Sequence, residues 1–254
     1  MEFTPADSSL FRSSMEALKD FLPTATLRVT RAGLRVNGLD ASHIGFVDYF
    51  LAAADMSASK IPNHETTIGL NIALFCRVLS NVGSGDVLTI RLSESRDRIV
   101  VDYTNDRVSK RGHYELHTLD ISEEALAIPE LVHDADVTLK TADMLSTIRE
   151  ISAFGDVLEL CLNEDGFDIS AVGDAGVAKQ TLENTDDREM ALRSGDAVSA
   201  KYATKFLQGL IKGGAPLSST TRLEFDGTKP MRVSFKFGHG SHFVGYLAPR
   251  IADD

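Results

Sequence analysis

Two cysteines and seven histidines are the chain's stock of thiols and imidazoles, and they bound the chemistry open to it. Cys76 and Cys161 stand far apart. They have neither the short spacing of a zinc site nor the framework of a disulfide-rich protein, which predicts two reduced core thiols. His239 and His242 flank Gly240-Ser241, with no cysteine or acid beside them in sequence to complete a metal site. They are expected in a surface loop. His113 and His117 are four apart but lie in strand-like sequence, where that spacing separates side chains by about 13 Å. They would chelate poorly. There is no glycine-rich phosphate loop and no Gly-x-Ser-x-Gly elbow. Carboxylates are plentiful, yet no spacing singles out a catalytic pair. These residues predict a non-enzyme with no cofactor and no metal; an unrecognised carboxylate site is the remote alternative.

The basic residues are more informative. Net charge is −11. Residues before 117 carry 13 basic and 14 acidic groups, residues 117–133 add −4, and the remainder has 13 basic and 19 acidic. As a sum this disfavours nucleic acid, but a binding face needs only a local positive field. Arg12 and Lys19 are seven apart and share one face of a predicted helix. Arg77 is the one charge on a second helix, and Arg149 sits on a third beside Asp143 and Glu150. Lys205 and Lys212 are again seven apart on a fourth, which has no acid. If that helix reaches back to Lys201, the three lysines fall within about 40° of arc. Cations off the apolar stripe of all four helices predict a shared surface facing a polyanion.

The elements that must hold these residues follow from periodicity. Phe11, Met15, Leu18 and Leu22 form one helical stripe, stopped by Pro23. Leu27, Val29, Leu34 and Val36 alternate around Gly33, as in a hairpin. Phe75, Val78, Leu79 and Val82 predict a helix ended by Gly83. Val87–Leu92 and Arg98–Tyr103 read as strands. The second half repeats the plan: a strand at Val137–Leu139, a helix at Met144–Ile151, and a hairpin over Val157–Ser170. A helix at Phe206–Ile211 closes at Gly213-Gly214, and three last strands cover 221–225, 231–237 and 241–247. An acidic loop surrounds Asn184–Glu189. Gly-Asp-Val-Leu occurs at both Gly85–Leu88 and Gly155–Leu158, which supports duplication. Between the halves, residues 117–133 carry four carboxylates and Pro129, with no lysine or arginine. That is a domain connector, and Leu119, Ile121, Leu126, Ile128 and Leu131 predict that it packs on a surface. The domains are expected at 1–116 and 134–254. The predicted class is α+β, with helices gathered on one face of antiparallel sheets. At 254 residues each half can bury a core. No apolar run approaches membrane length and the N-terminus is not signal-like, so an intracellular, non-membrane protein is expected.

Five segments stand out in order along the chain: Met15-Glu-Ala-Leu-Lys-Asp20, Leu39-Asp-Ala-Ser-His-Ile44, Leu126-Ala-Ile-Pro-Glu130, Ala215-Pro-Leu-Ser-Ser-Thr220 and Tyr246-Leu-Ala-Pro-Arg-Ile251. Together they resemble the proliferating cell nuclear antigen family of sliding clamps. The resemblance implies two similar clamp domains, each with sheets outside and two short helices inside, closing into a homotrimeric ring around double-stranded DNA. It implies that Arg12, Lys19, Arg77, Arg149, Lys205 and Lys212 face DNA. It places Tyr114 and Val177 at the subunit interface. It implies a pocket of Leu39, His43, Ile44, Leu126, Ile128, Pro230, Tyr246, Ala248, Pro249 and Ile251 for the PIP-box peptides of DNA polymerase and other replication and repair proteins, with a clamp loader as a further partner. The chain departs from the family at Ser13, Ser80 and Ala153, where basic residues are usual, and at Glu164, where eukaryotic members carry the lysine modified by ubiquitin and SUMO. The loop at 184–189 also matches poorly. These departures suit a divergent protist, archaeal or viral member, acting in a nucleus, viral replication compartment or archaeal cytoplasm. A subunit of a heterotrimeric checkpoint clamp and a monomeric viral processivity factor are the alternatives within the fold.

Overall fold

A computed structural model describes residues 1–121, 131–174, 176–193 and 195–250. The expected pocket residues Leu126, Ile128 and Ile251 lie outside the described residues. The chain divides into two compact units, and each draws on separate stretches of sequence.

The first unit comprises Met1–Ala41, Val47–Leu126 and Phe237–Phe243. Its elements are β1 (Glu2–Pro5), α1 (Ser8–Lys19), β2 (Thr24–Thr30), β3 (Gly33–Leu39), most of β4 (Gly45–Ala52), a 3-10 turn at Ala53–Asp55, β5 (Met56–Lys60), β6 (Thr66–Asn71), α2 (Ile72–Leu79), β7 (Val87–Leu92), β8 (Arg98–Asn105) and β9 (Lys110–His117). One antiparallel sheet runs β5-β1-β7-β8-β9, and β4-β3-β2-β6 lie side by side in another. Asp7 caps α1 by accepting from Leu10 N at 2.9 Å, and Asn71 caps α2 by accepting from Leu74 N at 2.8 Å. Such caps satisfy amides that the helix cannot. The stripe Phe11, Met15 and Leu18 is fully buried, and Phe11 meets Phe75 of α2 edge-on at 6.3 Å. The two helices therefore pack on each other and turn their remaining faces outward. Gly112 on β9 opposes Tyr103 on β8. A Cβ there would fall 2.2 Å from the Tyr103 ring, so only glycine lets the ring lie across the strand.

The second unit comprises Ser42–Phe46, Ala127–Lys236 and Val244–Asp254. It holds β10 (Ala135–Lys140), α3 (Thr141–Ile151), β11 (Val157–Asn163), β12 (Gly166–Gly173), β13 (Gly176–Leu182), β14 (Glu189–Leu192), β15 (Val198–Ala203), α4 (Thr204–Gly214), β16 (Thr220–Phe225) and nearly all of β17 (Met231–Phe237). Here the antiparallel orders are β13-β12-β11-β15 and β14-β10-β16-β17. The last strand, β18 (Ser241–Leu247), has residues in both units. Helices α3 and α4 pack together, burying Met144, Ile148 and Ile151 of one and Leu207, Leu210 and Ile211 of the other.

Several sequence expectations need correction. The helix expected to run through Val82 to Gly83 ends at Leu79, with Ser80 as its cap. The helix expected to close at Gly213-Gly214 runs through both and is capped at Ala215. Gly214 serves packing, not termination: a Cβ there would sit 2.3 Å from the Phe235 ring. Strands β1, β4, β5, β6, β14 and β15 were also not expected. In β4 seven of eight residues are buried, so it has none of the alternation that marks a half-exposed strand.

Candidate functional site

The helix cations do not all stand in the same state. Arg12 on α1 is half-buried, and its Nη1 donates to the Val82 carbonyl at 2.8 Å, just beyond α2. That bond ties α1 to the end of α2. Lys19 is paired with Glu16 one turn earlier on the same helix, and a hydrogen bond to that carboxylate raises the ammonium's pKa. In contrast Arg77, Arg149, Lys205 and Lys212 are exposed, and their side chains meet no hydrogen-bond or ion-pair partner among the described residues. The acids beside Arg149 are occupied elsewhere. Asp143 takes Arg188 at 3.3 Å, while Glu150 accepts from Ser146 at 3.1 Å and Gln180 at 2.5 Å.

Among the described residues, the sheets end in open edges. In the first unit β9 is the terminal strand of its sheet, and in the second β13 is terminal in its own. Tyr114 on β9 stacks on Tyr103, with ring centres 6.2 Å apart and planes at 19°. Lys110 Nζ lies 4.9 Å from the centre of the Tyr103 ring. On the opposite face Asp102 accepts from Arg91 at 2.6 Å and meets His113 Nδ1 at 2.7 Å, and Glu115 accepts from Arg98 at 2.6 Å. The Asp102 carboxylate, with Glu115, draws the His113 pKa upward. On β13, Val177 is 68 % exposed and opposes Val172, which is 70 % exposed. Two exposed valines at a strand edge are an apolar feature that water does not favour.

Part of the expected peptide pocket comes together in the second unit. Ala248 N donates to the Ile44 carbonyl at 3.1 Å, which pins the C-terminal stretch along residues 42–46. Tyr246 meets Phe46 edge-on at 6.1 Å. His43 has a positive φ of 56° and is exposed, as are Ile44 and Ala248; Pro249 is half-buried. Pro230 is exposed, and its carbonyl accepts from His133 Nε2 at 2.9 Å. Leu39, in the first unit, is 39 % exposed. Glu164 is exposed in the β11–β12 turn, beside Asn163, whose side chain accepts from Asp165 N and Gly166 N.

The histidine pair at 239–242 does have acids near it in space, which sequence proximity could not reveal. Asp55 accepts from His239 N at 2.8 Å and lies 2.9 Å from His239 Nδ1, and Asp48 lies 3.6 Å from His242 Nε2. The Asp55, His239 and Ser241 grouping is not a hydrolytic relay. A relay places histidine between serine and acid, whereas here Ser241 is 1 % exposed and donates directly to Asp55. Among the described residues no three or more His, Cys, Asp or Glu side chains are grouped to hold a metal. Burial pushes the Cys76 thiol up to about 12, so it is a poor nucleophile.

Known proteins share this arrangement. Residues 1–125 match the family model for "Proliferating cell nuclear antigen, N-terminal domain", and residues 127–250 match that for the C-terminal domain. The crystal structure of proliferating cellular nuclear antigen from Entamoeba histolytica shares the fold at a TM-score of 0.90, with 23% identity over 98% of each chain. Two clamp domains with antiparallel sheets and, among the described residues, four α-helices are thus the architecture expected from the sequence. The chain belongs to the proliferating cell nuclear antigen family, the DNA sliding clamps of replication and repair.

Proposed function

We propose that this chain is a replicative sliding clamp that closes into a homotrimeric ring, encircles duplex DNA and tethers DNA polymerase. The observation that carries the reading is the pair of open edges, β9 and β13, in a chain holding both family domains. An edge strand is a template for pairing with another chain. Two different edges meeting head to tail make a heterologous contact that can close a ring and hide both. Tyr114 and Val177 would lie at that contact. The unpaired helix cations would meet phosphates in a non-specific, salt-sensitive way that suits sliding. Residues 117–133 act as the connector between domains 1–116 and 134–254. His43, Ile44, Pro230, Tyr246, Ala248 and Pro249 of the second unit would take PIP-box peptides, which carry aliphatic and aromatic anchors on one helical turn. Tethering raises a partner's effective concentration at the primer end, and no catalytic step is assigned to the clamp. The test is native mass spectrometry at micromolar concentration, followed by polymerase extension on a primed circular template. A trimer that lengthens the products is expected. A monomer at that concentration, or product lengths unchanged by the loaded protein, overturns the reading.

A further inference from the structure

The helix cations, sorted by what they already bind, divide unevenly between the two units. On α1 and α2, Lys19 is paired with Glu16 and Arg12 is anchored by one N–H on the neutral Val82 carbonyl, which leaves its charge in place but fixes its position; only Arg77 meets no partner among the described residues. On α3 and α4, Arg149, Lys205 and Lys212 all lack partners among the described residues. The outward face of α2 also carries Leu74, 45 % exposed, where a phosphate finds nothing to bind. We infer that the second unit's helices carry most of the grip on duplex DNA, and that Glu16 holds Lys19 back from it in the first unit. The inference rests on the reading of the chain as a DNA clamp.

The physical argument is competition for one ammonium group. Lys19 and Glu16 side chains are 36 % and 41 % exposed, so water weakens their pair, and an exposed pair at this spacing lowers the availability of Lys19 by about twofold, not more. Glu16 also places its own negative charge where a phosphate would approach, and that charge acts within a Debye length of roughly 8 Å. Glu16 is therefore a tuning residue, able to loosen the grip without touching DNA. Arg12 differs. Its bond to a main-chain carbonyl is part of how α1 and α2 hold together, so its loss registers in folding before it registers in binding.

Equilibrium binding of a short blunt duplex, measured over a salt series, separates these roles. The slope of log affinity against log salt changes by ~0.9 for every phosphate neutralised by the protein. Glu16→Gln is expected to tighten binding about twofold per engaged copy and to steepen the slope, because Lys19 is released. Lys19→Ala is expected to weaken binding by less than about twofold. Lys205→Ala/Lys212→Ala is expected to weaken it by about tenfold or more and to flatten the slope by ~2. Arg12→Ala is expected to lower the melting temperature and to flatten the slope by no more than ~0.9, the loss of one charge. If Lys19→Ala weakens binding as much as the α4 pair does, or Glu16→Gln leaves affinity and slope unchanged, the inference is overturned while the clamp reading stands. If no protein of the series binds duplex in a salt-dependent way, the clamp reading falls as well.

Discussion

Arg35→Ala tests how the first unit tolerates a carboxylate inside its sheet. Asp48 is 6 % exposed on β4, a strand otherwise built of apolar side chains. Arg35 on β3 grips it with both arms, Nε to Oδ1 at 2.7 Å and Nη2 to Oδ2 at 2.6 Å. Burial pushes the carboxyl pKa up, but His242 and Arg35 outweigh it and leave Asp48 below its ordinary value. Removing one partner of a fully buried pair costs ~3–5 kcal/mol. Because the Arg35 side chain is 52 % exposed, about half of that, ~2 kcal/mol, is expected. The sign of the pH dependence follows from the direction of the shift. With its pKa depressed in the native state, wild-type Asp48 contributes stability above its unfolded value, and that contribution is lost as pH falls through the folded value. In the variant, burial acts with less opposition, so Asp48 protonates at a higher pH than in the wild type. The gap between the two proteins should thus be widest near neutrality and narrow as pH falls from about 5 toward 3. Urea denaturation at fixed protein concentration measures it, the concentration being held because assembly couples to stability. A gap below about 0.5 kcal/mol at pH 7, within the range of ordinary surface substitutions, or one that widens on acidification, would refute the reasoning.

Two further outcomes follow from local geometry. Gly214→Ala sets helix propensity against packing: at the last residue of α4 alanine gains less than the ~1 kcal/mol of a helix interior, while a methyl 2.3 Å from the Phe235 ring overpacks the site at a cost of ~1–3 kcal/mol. Net destabilisation by about 1 kcal/mol is expected in thermal melts, and a raised melting temperature would show that the ring yields freely. Cys76, with its thiol pushed to about 12 by burial and by nearby Glu16, should resist alkylation at pH 8 in the native state and react readily once unfolded. Mass analysis of peptides after a timed iodoacetamide pulse checks this.

The sequence was most legible where a single element was buried on one side. The stripe Phe11, Met15 and Leu18 identified α1, and the alternation through Leu27, Val29, Leu34 and Val36 identified the β2–β3 hairpin. Legibility failed where burial was two-sided or a residue's role lay in a distant neighbour. β4 carries no period because both its faces are covered. Gly214 looked like a stop signal because the Phe235 ring that requires it lies on another strand. The same limit divides the site. The Glu16–Lys19 pair is three residues apart and could have been found from helical spacing alone. Arg12 with Val82 and Asp55 with His239 join residues 70 and 184 positions apart, and no local pattern foretells them.

The acidic balance of the chain looks at odds with a polyanion partner until the cations are sorted by what they already hold. On the sheets, acids and bases largely cancel each other at close range: Arg91 with Asp102, Arg98 with Glu115, Arg222 with Asp136, Arg232 with Glu224 and Arg35 with Asp48. Each pair forms within a single unit, across or beside strands, and leaves little field beyond a Debye length. Lys140 is spent the same way on Asp187, whose carboxyl it holds down to about 2. What remains uncancelled on α3 and α4 is basic on balance: Asp143 is paired with Arg188, and Arg149, Lys205 and Lys212, without partners among the described residues, outnumber Glu150, whose partners Ser146 and Gln180 are neutral. A surface of net negative charge can therefore present a positive strip, and the surplus acid elsewhere repels DNA from faces where contact would be unproductive. On this account, adding acids to the sheet faces should disturb duplex binding far less than freeing or removing one cation on a helix.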